Sequence, residues 1–83
     1  MKRKYSKQAE KFLDSQNTEV YERIKSGIKK LPQGDVKRIK PFKDKYRLRV
    51  GDYRIIFRRI QDCLYQDCLY IETIDNRGQV YKR

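Results

Sequence analysis

The side chains best suited to chemistry in this chain are arginines, and they recur at alternate positions. Arg47 and Arg49 precede a Gly51-Asp52 pair, and Arg54 and Arg58 follow it. A guanidinium is planar, permanently charged and carries a fork of donors that matches two phosphate oxygens at once. Like charges set beside one another on a strand surface repel, so such a row either stands in solvent or awaits an anion. Lys43 and Lys45 lead into the row, and Arg77 and Tyr81 close the chain. The chemistry that fits is recognition of an anion, a phosphate backbone among them. The chain has no histidine, which removes histidine acid-base catalysis, Ser-His triads and most transition-metal sites. Two cysteines without histidine cannot complete a zinc site from one chain. No metal and no cofactor is expected.

A β-hairpin must position these arginines. Residues 46–50 and 53–57 read as two strands joined by a two-residue turn, with Gly51 supplying the positive φ that such a turn needs. The turn sets Val50 opposite Tyr53, Arg49 opposite Arg54, Leu48 opposite Ile55, Arg47 opposite Ile56 and Tyr46 opposite Phe57. Sides alternate along a strand. One face therefore gathers Tyr46, Leu48, Val50, Tyr53, Ile55 and Phe57, and the other gathers Arg47, Arg49, Arg54, Ile56 and Arg58.

The apolar face needs a cover. Lys2 to Tyr5 reads as a short edge strand, and Ser6 as the cap of a helix over Lys7 to Gln16 with Ala9, Phe12 and Leu13 on one side. Thr18 is expected to cap a second helix with Val20, Ile24, Ile28 and Leu31 at helical spacing, ended by Pro32. Both stripes read as core. Gln33 to Lys45, with Gly34 and Pro41, reads as a polar loop anchored by Val36 and Ile39. Its Lys37, Arg38, Lys40, Lys43 and Lys45 form a basic approach to the hairpin. A duplicated pentapeptide, 61–65 and 66–70, reads as the loop and flanks of a further hairpin, with Cys63 facing Cys68 as free thiols. Leu69 to Ile74 reads as a central strand, next to which Arg77 and Tyr81 can reach the arginine face.

The 83 residues suit one domain with a small core. The formal net charge of +11 makes binding to polyanions the default expectation. No apolar run approaches a membrane span and no secretory leader is evident, which points to the cytoplasm and to no membrane partner.

The run Tyr-Arg-Leu-Arg-Val-Gly-Asp-Tyr-Arg-Ile-Ile-Phe at 46–57, after two N-terminal helices and before a closing Arg-Gly-Gln-Val-Tyr at 77–81, resembles the RelE/ParE superfamily of type II toxin-antitoxin toxins, on the RelE side. The resemblance covers nearly the whole chain. It implies an α+β fold, with two N-terminal helices packed on one face of a small, mainly antiparallel sheet. It implies a ribosome-dependent endoribonuclease, an mRNA interferase that cuts message in the A site. The expected partners are a RelB-like antitoxin, the ribosome and mRNA, and operator DNA through the antitoxin complex. By the same resemblance Arg54 is the phosphate clamp, Arg77 a second cation and proton donor, and Tyr81 the residue that orients or deprotonates the nucleophile. Arg47 and Arg49 match two basic positions that are lysines in the best-known RelE pattern, and Asn76 stands where a histidine is common. Arginine is a poor base, so Tyr81 is the favoured base, with Lys43 and Lys45 as alternatives and Arg58 as a further RNA contact. ParE-like relatives share the fold and inhibit DNA gyrase without a nuclease set, and a plain nucleic-acid-binding domain is a third reading.

Overall fold

The computed structural model describes residues 2–61 and 67–76. Its elements run β1 (Lys2–Tyr5), α1 (Lys7–Asp14), α2 (Thr18–Lys29), β2 (Asp35–Arg38), β3 (Lys45–Val50), β4 (Tyr53–Gln61) and β5 (Asp67–Asn76). The strands form one five-stranded sheet in the order β1-β5-β4-β3-β2. β1 lies parallel to β5 and every other neighbouring pair is antiparallel. Two helices on a mainly antiparallel sheet is the expected α+β class.

The helices start where short polar side chains satisfy their first N–H groups. Ser6 Oγ accepts from the Ala9 N–H at 3.0 Å. For α2 the cap is Asn17, whose Oδ1 accepts from the Val20 N–H at 2.9 Å. The expectation that Thr18 caps this helix is corrected by one residue, since Asn17 holds the extended backbone of a cap and Thr18 is already helical. α1 also ends earlier than expected, at Asp14 with Ser15 as its cap. Each helix turns one apolar stripe onto the sheet. Ala9, Leu13, Ile24, Ile28 and Leu31 pack with Leu48, Ile55, Phe57, Leu69, Ile71 and Ile74 in one buried cluster. Tyr46 stacks on Phe57, and Phe12 meets Tyr53 edge-on. Gly27 lets α2 come close to β3: a Cβ built there would lie 2.7 Å from a Val50 methyl.

The central hairpin has the expected register at every pair from Tyr46–Phe57 to Val50–Tyr53, and Gly51 takes φ 57°. β5 is central, as expected. The stretch 33–45 is not all loop, because β2 pairs along β3. Among the β2 residues only Val36 packs against the core. Four residues with one inward apolar side chain leave almost no alternation to read, which is why the strand was hidden in the sequence.

Three side chains join the layers. Beyond the end of β1, the Ser6 N–H donates to the Ile71 carbonyl and the Ser6 hydroxyl to the Glu72 carbonyl. The Gln8 amide then exchanges two hydrogen bonds with the Ile74 backbone, at 2.8 and 2.9 Å. A helix side chain thus continues the ladder that β1 leaves off, and it steadies the end of β5 that carries Asp75. Arg3 donates to the carbonyls of Ile28 and Lys29 at the end of α2, where a cation suits the exposed carbonyl ends.

Candidate nucleic-acid interface

The face of the sheet turned away from the helices carries the arginines, in rows that cross the strands. One row is Asp35–Arg49–Arg54–Asp75, each residue directly opposite the next on β2, β3, β4 and β5. The next is Lys37–Arg47–Ile56–Thr73, and the one beyond places Lys45 opposite Arg58 and Arg58 opposite Tyr70. A bulge between Ile56 and Phe57 leaves Glu72 as the extra residue of β5. Glu72 forms an ion pair with Lys45 at 2.9 Å, which brings its carboxylate to the arginine side.

The row of arginines does not simply repel. Arg49 and Arg54 face each other, but each has a carboxylate on its outer side. Arg54 Nη2 donates to Asp75 Oδ2 at 3.1 Å. Asp35 lies 3.6 Å from Arg47 and 3.9 Å from Arg49, ion pairs too long to count as hydrogen bonds. Arg58 donates to Asp44 at 3.2 Å. The expectation of uncompensated like charge is therefore corrected. The acids come from β2, the β2–β3 loop and β5; Asp44 directly precedes β3, whereas Asp35 and Asp75 are well separated in sequence from the arginines they meet, and strand pairing brings them alongside.

The pairing is incomplete in one place. Arg47 Nη1, Arg54 Nε and Asp75 Oδ1 are buried with no hydrogen-bond partner among the described residues. A buried donor or acceptor left unmade costs about 1–3 kcal/mol, and more when charged. Arg47 lies opposite Ile56, two residues along β4 from Arg54, so the two arginines are diagonal neighbours and both orphan donors belong to the middle of the face. The two arginines differ in access. The Arg54 side chain is 37% exposed and can be touched from solvent, while Arg47 is 13% exposed and lies deeper. Arg49 and Arg58 are open to solvent.

The expected site residues are thus distributed as follows. Arg47, Arg49, Arg54, Arg58 and Lys45 share one face. Lys45 is committed to Glu72, which makes it a poor candidate for a free base. Lys43 lies in the loop before β3, exposed. Arg77 and Tyr81 lie outside the described residues, as does Cys63. Cys68 is free and buried. The sequence reading missed Asp35, Asp44, Glu72 and Asp75. The one signal for them was positional: extending the hairpin register onto flanking strands puts Asp35 opposite Arg49 and Asp75 opposite Arg54. Among the described residues no cluster of side chains is arranged to hold a metal, and no helix is long and apolar enough to cross a membrane.

Comparison with known proteins gives the fold a relative. No family model matches the chain, and no curated protein matches it. Among solved structures, a chain of the RelB-RelE antitoxin-toxin complex from Methanococcus jannaschii matches with TM-score 0.70 and 24% identity, over 95% of this chain and 95% of that one. A chain of the archaeal RelE-RelB complex from Pyrococcus horikoshii OT3 matches with TM-score 0.71 and 25% identity, over 94% of this chain and 96% of that one. The fold is RelE-like, as the sequence resemblance implied.

Proposed function

We propose, starting from this RelE-like fold, that the protein is the toxin of a type II toxin-antitoxin pair and an mRNA interferase that cuts message in the ribosomal A site. Its partners are then a RelB-like antitoxin, the ribosome with its mRNA and, through the antitoxin complex, operator DNA, all in the cytoplasm. The observation that carries the reading is the gathering of Arg47, Arg49, Arg54 and Arg58 on the sheet face turned away from the helices, with Arg49, Arg54 and Arg58 reachable from solvent. A phosphate laid on that face meets their exposed donors.

The reaction is attack of the mRNA 2′-oxygen on the adjacent phosphorus. The new O–P bond closes a 2′,3′-cyclic phosphate, the P–O5′ bond breaks, and a 5′-hydroxyl leaves. One proton leaves the 2′-hydroxyl and one reaches the 5′-oxygen. Arg54 clamps the phosphate and stabilises the charge that builds on it, with Arg47 beneath and Arg49 and Arg58 on the flanking backbone. Arg77 is the second cation and supplies the leaving oxygen's proton or its electrostatic equivalent. Tyr81 orients or deprotonates the 2′-hydroxyl, and a phenol crowded by cations ionises more readily. Lys43, exposed in the loop before β3, meets the RNA backbone rather than the reacting atoms. The Asp75 carboxylate holds Arg54 by one nitrogen, so its remaining edge is pre-aimed.

The test is primer extension on translated mRNA. Arg54→Ala and Arg77→Ala are each expected to abolish cleavage and cellular toxicity while the antitoxin still binds. Undiminished cleavage in both variants rejects the assignment. Toxicity accompanied by blocked DNA supercoiling and no cut message replaces it with gyrase inhibition.

A further inference from the structure

Phe42 stands 48% exposed, the one large hydrophobic side chain so placed among the described residues. A lone exposed apolar side chain needs no explanation by itself. Its setting does. The Lys45 ammonium lies over the ring, 4.7 Å from the centroid, so one side of the ring is occupied by a cation and the exposed part remains open. Lys45 belongs to the arginine face, so the ring stands at the end of that face.

The loop that carries the ring is held at several points. The Ile39 N–H donates to the Lys45 carbonyl at 2.9 Å, and the Phe42 N–H to the Ile39 carbonyl at 3.1 Å. Arg38 Nε donates to the Phe42 carbonyl at 3.3 Å, and the Arg59 N–H to the Asp44 carbonyl at 2.9 Å. The ring is thus presented from a fixed backbone, and ordering it on a ligand costs little entropy. Beside it, Lys40 and Lys43 are exposed and have no carboxylate partner among the described residues, unlike the arginines of the sheet.

We infer that Phe42 is a stacking platform for an unpaired nucleobase, with Lys40 and Lys43 holding the adjoining phosphates. An aromatic side chain among unpaired cations is the arrangement that binds single strands, because every base has a π-face and every linkage a charge. An acidic protein segment would use the lysines but has no need of a fixed flat ring. The assignment deepens the nuclease reading by extending its RNA track. From Lys45 to Arg49, which faces Arg54, is about 13 Å along β3 at roughly 3.3 Å per residue. The stacked base therefore belongs to a nucleotide away from the scissile linkage, and Phe42 positions the strand without touching the reacting atoms.

The chain contains no tryptophan, so Phe42→Trp creates a sole reporter. The probe is a single-stranded oligodeoxynucleotide, which lacks the 2′-hydroxyl and reads binding apart from cleavage. Expected are saturable quenching of the Phe42→Trp fluorescence and affinity close to wild type. Phe42→Ala should bind about 5- to 150-fold more weakly, the usual loss on removing a stacked aromatic, with an unchanged unfolding temperature. Lys40→Gln with Lys43→Gln should flatten the dependence of log affinity on log salt by about 0.7 for each phosphate no longer neutralised. Fluorescence unchanged at saturation, wild-type affinity in Phe42→Ala, or no binding by the wild type each overturns the inference. So does quenching by the antitoxin but not by the oligonucleotide. Stacking with no message cleaved by the wild-type chain supports this site and removes the nuclease reading. Intact cleavage with Phe42→Ala binding as wild type does the reverse.

Discussion

Two basic regions adjoin on this molecule, and they are built on opposite electrostatic plans. On the sheet, Arg47, Arg49, Arg54 and Arg58 each lie against an aspartate held by a neighbouring strand or loop. At the corner, Lys40 and Lys43 stand in solvent beside Phe42 with no such partner among the described residues. The chain's charge of +11 makes no distinction between them. An arginine held by a carboxylate loses much of its long-range attraction but gains a defined direction for the donors it has left. An unpaired lysine keeps its field and has little direction. The first suits stabilisation of a charged transition state, where positioning counts most, and the second suits capture and tracking of a polyanion.

Several measurements would break or sharpen this contrast. The largest effect is expected at Arg54. Arg54→Ala should lower the single-turnover rate of message cleavage by about 100-fold or more, the scale for loss of one pre-aimed charge-stabilising donor. Arg54→Lys should recover little of it, since lysine has no planar fork. A full recovery by lysine would mean that charge alone matters on the sheet, as at the corner. Gly27→Ala comes next and touches neither region. In an open helix this change gains about 1 kcal/mol. Here the new methyl meets the stiff Val50 side chain, and overpacking costs about 1–3 kcal/mol. The net result expected in chemical denaturation is destabilisation, with both regions weakened together because β3 carries Arg47 and Arg49, pairs with the strand of Arg54 and Arg58, and adjoins the loop of Phe42.

Asp75→Asn should be milder. It frees Arg54 from its ion pair, and a partly exposed pair is worth about 1 kcal/mol or less. Oligonucleotide affinity is expected to rise slightly while the cleavage rate falls, because attraction increases as aim is lost. A parallel rise in both would show that Asp75 only masks charge. Smallest of all, Arg58→Gln should change stability by no more than about 0.5–1 kcal/mol in a thermal melt and leave the Phe42→Trp quenching largely intact. Its partner Asp44 remains tied through its backbone carbonyl to Arg59. Raising salt should weaken the corner's contribution to binding more than the sheet's, since exposed unpaired charges are screened first.

The parts of the molecule that could be read in advance are those whose cause is local. A Gly-Asp turn dictates which residues of a hairpin oppose one another, so the register of 46–57 and the arginine face followed from spacing alone. Ser6 and the 3.6-residue stripes of α1 and α2 are local in the same sense. Asn17 rather than Thr18 as the cap is an error of one residue between two adjacent good caps. β2 escaped because an edge strand of four residues with one inward side chain carries almost no periodic signal. Gln8 and Arg3 escaped for a different reason: a polar side chain that completes another element's hydrogen bonds looks, in sequence, like any solvated one.

Turn chemistry and apolar spacing were enough to dictate two amphipathic helices and a hairpin with one cationic face, and the resemblance added the α+β arrangement that joins them. Which of those cations are free was left to the folded chain. Asp35, Asp44, Glu72 and Asp75 acquire their partners through strand order and a single bulge. The energy of an ion pair depends on separation in space, and separation along the chain carries almost no information about that.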